Sequence, residues 1–227
     1  EGFAREGANV FLAGRSKNVE TAAQEFEKSG WRARAFIGDL SGEESAGGLM
    51  NACVREFGTV DILVNAAGVG RAGAVTELSL KDWREVMEHN LTNTFLCCRE
   101  ALKVMRPRKS GVIVNVASLA GRFRSGLGGA HYAASKAAVI GFTRQVAGEV
   151  ARDNIRINVS CPGATETPML LAEARKANRT LEAISQVVPL GYVSSPNEQA
   201  KAILFLASDE SSYITGAALD VNGGIFG

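Results

Sequence analysis

The feature that most constrains this chain is a rhythm. Short, nearly unbroken apolar runs alternate with longer stretches of helical character. The clearest run is Gly111-Val112-Ile113-Val114-Asn115-Val116. A strand with one wet face alternates apolar and polar residues, whereas an unbroken run needs cover on both faces, as in a parallel sheet. Runs of this kind predict strands over 9–13, 32–38, 62–65, 112–117, 155–161 and 217–221. Helical stretches are expected between them, over 19–29, 43–57, 80–105, 132–152 and 197–207. Strand–helix alternation with right-handed crossovers predicts a doubly wound α/β sheet. With 227 residues and no linker, repeat or low-complexity tract, a single domain over 1–227 is expected.

Three helix starts read as capping boxes: Ser41 with Glu44, Ser79 with Asp82 and Ser195 with Glu198. Pro196 suits the first helical position. The segment 168–195 is too long for a plain connection and reads as a lid.

Lys plus Arg number 25 against 24 for Asp plus Glu. That balance argues against a nucleic-acid binder, which carries a basic excess. No apolar run approaches the ~20 residues that cross a bilayer. The opening Glu1-Gly2-Phe3-Ala4-Arg5 lacks the apolar core of a signal peptide. Of the four cysteines, Cys97 and Cys98 are adjacent, no C-x-x-C pair exists, and His89 and His131 are the only histidines. No metal site is expected, and reduced thiols in the cytoplasm are the simplest reading.

Open α/β sheets bind ligands beyond the carboxyl ends of their strands. The strand ending at Ala13 is followed by Gly14-Arg15-Ser16. A carboxylate here would accept ribose hydroxyls, while a guanidinium can grip a 2′-phosphate. Arg15 as a solvated surface residue is the competing reading. Gly38-Asp39-Leu40 and Asn65-Ala66-Ala67-Gly68 end two further strands, and small residues there let a ligand approach the backbone. Plain turn chemistry explains them as well. The strand ending at Ala117 runs into Ser118, and fourteen residues on comes Tyr132-Ala133-Ala134-Ser135-Lys136. Residues four apart on a helix share a face. A nearby ammonium is expected to lower the Tyr132 pKa toward the working range of an acid–base catalyst.

On these motifs the chain resembles the short-chain dehydrogenase/reductases over essentially its whole length. To those motifs add Asn90, the run Cys161-Pro162-Gly163-Ala164-Thr165-Glu166-Thr167, and the tail from Phe205 through Asp220-Val221-Asn222-Gly223-Gly224. The resemblance implies a Rossmann-type fold and a mechanism. Tyr132 would be the general acid or base, and Ser118 would hold the reacting oxygen. Lys136 would bind nicotinamide-ribose hydroxyls and lower the Tyr132 pKa. Asn90, a mid-helix polar group by another reading, would hold a proton-relay water on its carbonyl. Asp39 and Leu40 would meet the adenine, with Asn65 and Gly68 on the adenosine side. Pro162 and Gly163 would flank the nicotinamide, with Thr165 and Thr167 near its carboxamide and the pyrophosphate. Gly14-Arg15 resembles the NADP-preferring members, NAD being the alternative.

Among family members the closest resemblance is to β-ketoacyl-acyl-carrier-protein reductases. A basic patch of Arg106, Arg108, Lys109 and Arg152 is a candidate dock for acyl carrier protein, or an ordinary solvated rim. A sugar, polyol or other secondary-alcohol dehydrogenase is the rival, and a non-catalytic nucleotide-binding scaffold is the reading from another class. The family's first strand and glycine-rich turn are not found ahead of Glu1-Gly2-Phe3-Ala4-Arg5-Glu6-Gly7, which reads as the following helix. The parent is expected to carry roughly 20–30 further residues. Residues 1–227 alone are expected to give a poorly soluble or molten product without dinucleotide affinity. The loop 118–132 holds Arg122, Arg124 and four glycines and reads as mobile when empty. Surplus apolar residues on the 80–105 and 132–152 helices, among them Phe95 and Phe142, predict a homodimer or homotetramer.

Overall fold

The structure is a computed structural model, and it describes residues 1–124, 126 and 128–226. Ser125 and Leu127 of the glycine-rich loop, and Gly227, lie outside the described residues. Among the described residues six strands form, in the order β1 (Val10–Gly14), β2 (Ala33–Ile37), β3 (Ile62–Asn65), β4 (Gly111–Val116), β5 (Ile155–Pro162) and β6 (Ala218–Val221). The helices are α1 (Gly2–Arg5), α2 (Asn18–Lys28), α3 (Glu43–Phe57), α4 (Leu80–Met87), α5 (Asn93–Arg108), α6 (Ala130–Val150), α7 (Pro168–Lys176), α8 (Leu181–Ser185) and α9 (Pro196–Ala207).

All strand pairings among the described residues are parallel, in two sheets ordered β1-β2 and β3-β4-β5-β6. The sequence expectation of a covered parallel sheet follows from how β4 is packed. Ile113 faces α3, α5 and α6 with Leu49, Leu96, Ala147 and Val150. Val112 and Val114 face the other way, toward Leu206 of α9 and Phe3 of α1. Alternate residues thus enter two apolar layers, which is why the run shows no polar alternation.

Between β1 and β3 runs a slot of about 670 Å³. β1 pairs with β2 alone and β3 with β4 alone, so each turns one unpaired edge to it.

Two local expectations are corrected. Ser41 does not cap α3, whose N-cap is Gly42. Its backbone N–H and hydroxyl both donate to Asp39 Oδ1 instead, at 3.1 and 2.7 Å. A short polar side chain two residues away is a competing acceptor, and here it wins. The helix expected over 80–105 is interrupted by a π turn, Glu88–Thr92, between α4 and α5. By contrast, Ser79 accepts from the Asp82 N–H, and Ser195 with Glu198 forms the complete capping box.

The lid segment 168–195 folds as α7, α8 and turns. It is tied down where the Ala72 N–H donates to Glu173 Oε2 at 3.2 Å and the Leu190 N–H to the Gly223 carbonyl at 3.1 Å. The described part of the 118–132 loop is anchored as well. Arg122 pairs with Asp220 at 3.0 Å, and Phe123 stacks on Phe226.

Candidate active site

The carboxyl end of β4 delivers Ser118, which caps a short 3₁₀ turn by accepting from the Ala120 N–H at 3.1 Å. The first turns of α6 bring Tyr132 and Lys136 to the same place. The Ser118 side chain lies beside the Tyr132 hydroxyl and interacts with it. Lys136 is 5% exposed, and its Nζ donates to the Val116 carbonyl at 2.9 Å. The ammonium lies 5.9 Å from the Tyr132 ring centroid.

The electrostatics correct one sequence expectation. Burial pushes the Tyr132 hydroxyl above its ordinary value, only partly opposed by the Ser118 hydroxyl. Burial also brings Lys136 down to about 8. Loss of water disfavours both charged forms, and this outweighs the ammonium's pull on the phenol. The site as it stands therefore holds a neutral phenol, the form that can give up a proton. Cys161, fully buried below it, is pushed up to about 11 and stays a thiol.

Asn90 sits on the π turn and is 1% exposed. Its side chain clamps the loop after β3. Oδ1 accepts from the Val69 N–H at 2.7 Å, while Nδ2 donates to the Val69 carbonyl at 3.0 Å and to Ser135 Oγ at 2.9 Å. Its own carbonyl accepts the Thr94 hydroxyl at 2.8 Å. Gly68 is required here, since a Cβ would stand 2.8 Å from Asn90 Oδ1 and 3.5 Å from Lys136 Nζ. Gly68 also lines a cleft of about 200 Å³ that reaches Gly14, Arg15, Asp39, Leu40 and His89. This cleft thus runs along the strand ends from Arg15 to Gly68, which borders Lys136.

Several predicted contacts lie elsewhere or are engaged. The Asn65 amide is turned into the protein, donating to Asn115 Oδ1 at 2.9 Å and Cys98 Sγ at 3.2 Å. It fixes the register of β3 on β4, where it is the partner of Asn115. The Thr165 hydroxyl bonds the Gly163 carbonyl and Ser194 Oγ, and the Thr167 hydroxyl caps α7. Pro162 ends β5, and Gly163 packs where a Cβ would stand 2.7 Å from the Asn222 Cα. Asp39 is held below the usual carboxylate range, chiefly by the Ser41 hydroxyl, with His89 and Arg15 adding to the effect.

The basic patch faces away from this groove. Arg106 is paired with Asp153 at 2.7 Å and Arg108 with Asp61 at 2.9 Å. Asp61, Lys109 and Asp153 lie within two residues of the starts of β3, β4 and β5, so the patch lies at the amino ends of the strands. The six residues of β4 separate the two ends by about 20 Å.

Sequence reasoning missed His89 as a groove residue. Its one signal is its place next to Asn90, and the π turn that brings the ring to the groove was not legible.

Residues 1–225 match the family model described as "Enoyl-(Acyl carrier protein) reductase". The chain is similar to the 3-oxoacyl-[acyl-carrier-protein] reductase FabG of Thermotoga maritima, 38% identical over 98% of this chain and 89% of the relative. It belongs to the short-chain dehydrogenase/reductase family. An acetoacetyl-CoA reductase from an Acinetobacter strain is 37% identical over 85% of this chain and 76% of that relative. Among solved structures it is similar to a variant actinorhodin polyketide ketoreductase with NADPH, at TM-score 0.94 and 33% identity over 98% of this chain and 89% of that one. ElxO with NADP bound is similar at TM-score 0.91 and 30% identity, over 99% of this chain and 91% of that one. Membership of the short-chain dehydrogenase/reductases makes the chain an oxidoreductase and replaces the scaffold reading. Among the described residues no helix is long and apolar enough to cross a membrane, and no cluster of His, Cys, Asp and Glu could hold a metal.

Proposed function

We propose that this enzyme uses NADPH to reduce the ketone of a 3-oxoacyl thioester, with acyl carrier protein as the carrier. The observation that carries the reading is the Ser118–Tyr132 pair beside buried Lys136, which Gly68 links to a cleft that holds Arg15. Both parts fit the cofactor. Arg15 forms no ion pair with a carboxylate among the described residues, which suits a 2′-phosphate. Gly68 keeps the wall beside Lys136 low. Arg15, Asp39, Leu40 and Gly68 would hold the adenosine half, and Pro162, Gly163, Thr165 and Thr167 the nicotinamide half. When bound, the nicotinamide supplies the hydride.

The protein's own part is acid catalysis. Ser118 Oγ holds the carbonyl oxygen, and the Tyr132 hydroxyl donates its proton as negative charge develops there. Lys136 stabilises the resulting phenolate, and Asn90 fixes the loop that carries Gly68. Relatives support the substrate class: FabG proteins at 37–38% identity and a polyketide ketoreductase at 33%.

Two further readings follow. The four cysteines are all free, in keeping with the cytoplasm. Phe95 of α5, 41% exposed, meets Phe142 of α6 edge-on at 6.3 Å, giving an apolar seam through which subunits would pair as a homodimer or homotetramer. A solution mass near 24.0 kDa would overturn that pairing.

The experiment is NADPH oxidation by the full-length protein with acetoacetyl thioesters of acyl carrier protein and of CoA, run beside NADP reduction with sugars and polyols. Faster turnover on the carrier-bound thioester is expected. Preference for CoA would change the carrier assignment, and activity on polyols alone would overturn the thioester reading.

A further inference from the structure

The cleft that holds Arg15 also holds an imidazole. Arg15 Nη1 lies 3.1 Å from His89 Nε2, and His89 Nδ1 lies 3.8 Å from Asp39 Oδ1. A guanidinium carries five donors and no acceptor. Nε2 must therefore be the acceptor, which places the ring proton of a neutral imidazole on Nδ1, toward the Asp39 carboxylate. That carboxylate is kept on its own side, because its Oδ1 already takes both the N–H and the hydroxyl of Ser41.

We infer that His89 is a positioning residue for cofactor choice: it spaces Arg15 from Asp39 and so keeps the guanidinium open to a phosphate monoester. The inference rests on the reading that Arg15 meets the 2′-phosphate. Without an acceptor at position 89, Arg15 is left to the Asp39 carboxylate, whose charge it already meets. An Arg15–Asp39 ion pair would occupy the guanidinium and put a negative charge where the phosphate must sit. The imidazole takes one donor and leaves four. The π turn is part of the device, since it presents His89 to the groove while Asn90 beside it is buried against Val69.

Dissociation constants for NADPH and NADH, from nucleotide fluorescence titrations of the full-length protein, test this. Arg15→Ala is expected to weaken NADPH about tenfold or more and NADH less than about twofold. His89→Leu, which cannot accept a hydrogen bond, is expected to weaken NADPH about three- to tenfold, again sparing NADH. His89→Gln, whose amide oxygen can accept, is expected to stay within about twofold of the parent protein. In an Arg15→Ala background, His89→Leu is expected to have no further effect on either nucleotide. An unchanged NADPH-to-NADH ratio in His89→Leu, or the same loss with Arg15 already removed, would overturn the spacing role while a selective Arg15→Ala effect leaves the phosphate reading standing. An unselective Arg15→Ala effect would overturn both.

Discussion

The two sheets hold their strands at different depths. In the four-stranded sheet, Ile113, Val114, Ile157 and Val159 are completely buried. In the two-stranded sheet every residue of β1 is only partly buried, and in β2 only Ala33 is fully inside. The candidate catalytic groups hang from the deep half: Ser118 follows β4, and α6 carries Tyr132 and Lys136 against β5. Arg15 and Asp39, the proposed nucleotide contacts, follow the strands of the shallow half. Proton transfer needs side chains fixed to within a fraction of an ångström, whereas phosphate recognition by a flexible cation tolerates more play. Chemistry and cofactor choice are thus mounted on strands buried to different extents.

The largest expected effect falls on the deep half. Tyr132→Phe keeps the ring and removes the proton donor, so turnover on any accepted ketone should fall about 10²–10⁴-fold. NADPH affinity should hardly move, because Arg15 and its neighbours are untouched. Steady-state rates paired with nucleotide titrations check both halves of the statement. Activity within about threefold of the parent protein would remove Tyr132 from its role.

A pair of truncations measures the depth difference itself. Ile157→Ala opens a cavity among fully buried neighbours and should cost about 2–5 kcal/mol. Leu12→Ala, in half-buried β1, should cost less than about half of that. Denaturant midpoints decide. Equal losses would break the comparison.

Lys136 gives the deep half a pH signature. Its folded-state value of about 8 lies below the ordinary 10.5. Below pH 8 the ammonium is charged whether folded or unfolded, and its burial penalty is fully present. Between about 8 and 10.5 the folded protein has shed the proton while the unfolded chain keeps it, so this group's contribution to stability rises with pH. The full interval corresponds to about 3 kcal/mol. Lys136→Met should flatten this rise in a series of urea titrations and abolish turnover. A rise unchanged in that variant would place its source elsewhere.

What the sequence made legible divides along the same line. The apolar runs located β4 and β5 closely because their apolar residues are buried on both faces, and Ser118, Tyr132 and Lys136 stand together as their spacing implied. The polar groups were harder to place. Asn65 reads like a nucleotide contact, yet its amide points at Asn115 and Cys98, a choice set by strand register rather than by local pattern. Arg106 and Arg108 read as a dock, but α5 runs toward the amino ends of the strands and leaves them there. His89 gave only its place beside Asn90 as a signal, because a π turn is a tertiary outcome with no local code. The direction of the Tyr132 shift was also misjudged, since sequence shows the ammonium nearby but not the water lost around both groups.

The smallest expected effect tests the same limit at two serines that look alike in sequence. Both Ser41 and Ser195 stand three residues ahead of a glutamate at a helix start. Ser195 completes its box: its N–H donates to Glu198 Oε2 at 2.6 Å, and its hydroxyl accepts from the Glu198 N–H at 3.4 Å. The helix it caps, α9, packs Leu206 and Ala207 on Val114 of the deep sheet. Ser195→Ala should therefore cost about 1 kcal/mol of global stability. Ser41 serves Asp39 in the shallow half, and no side chain caps α3. Ser41→Ala should leave the denaturation midpoint nearly unchanged. It should instead free the Asp39 carboxylate, which then competes for Arg15 and weakens NADPH binding while sparing NADH. A stability loss at Ser41 equal to that at Ser195, with nucleotide preference intact, would show that the cap and not the groove is what Ser41 supports.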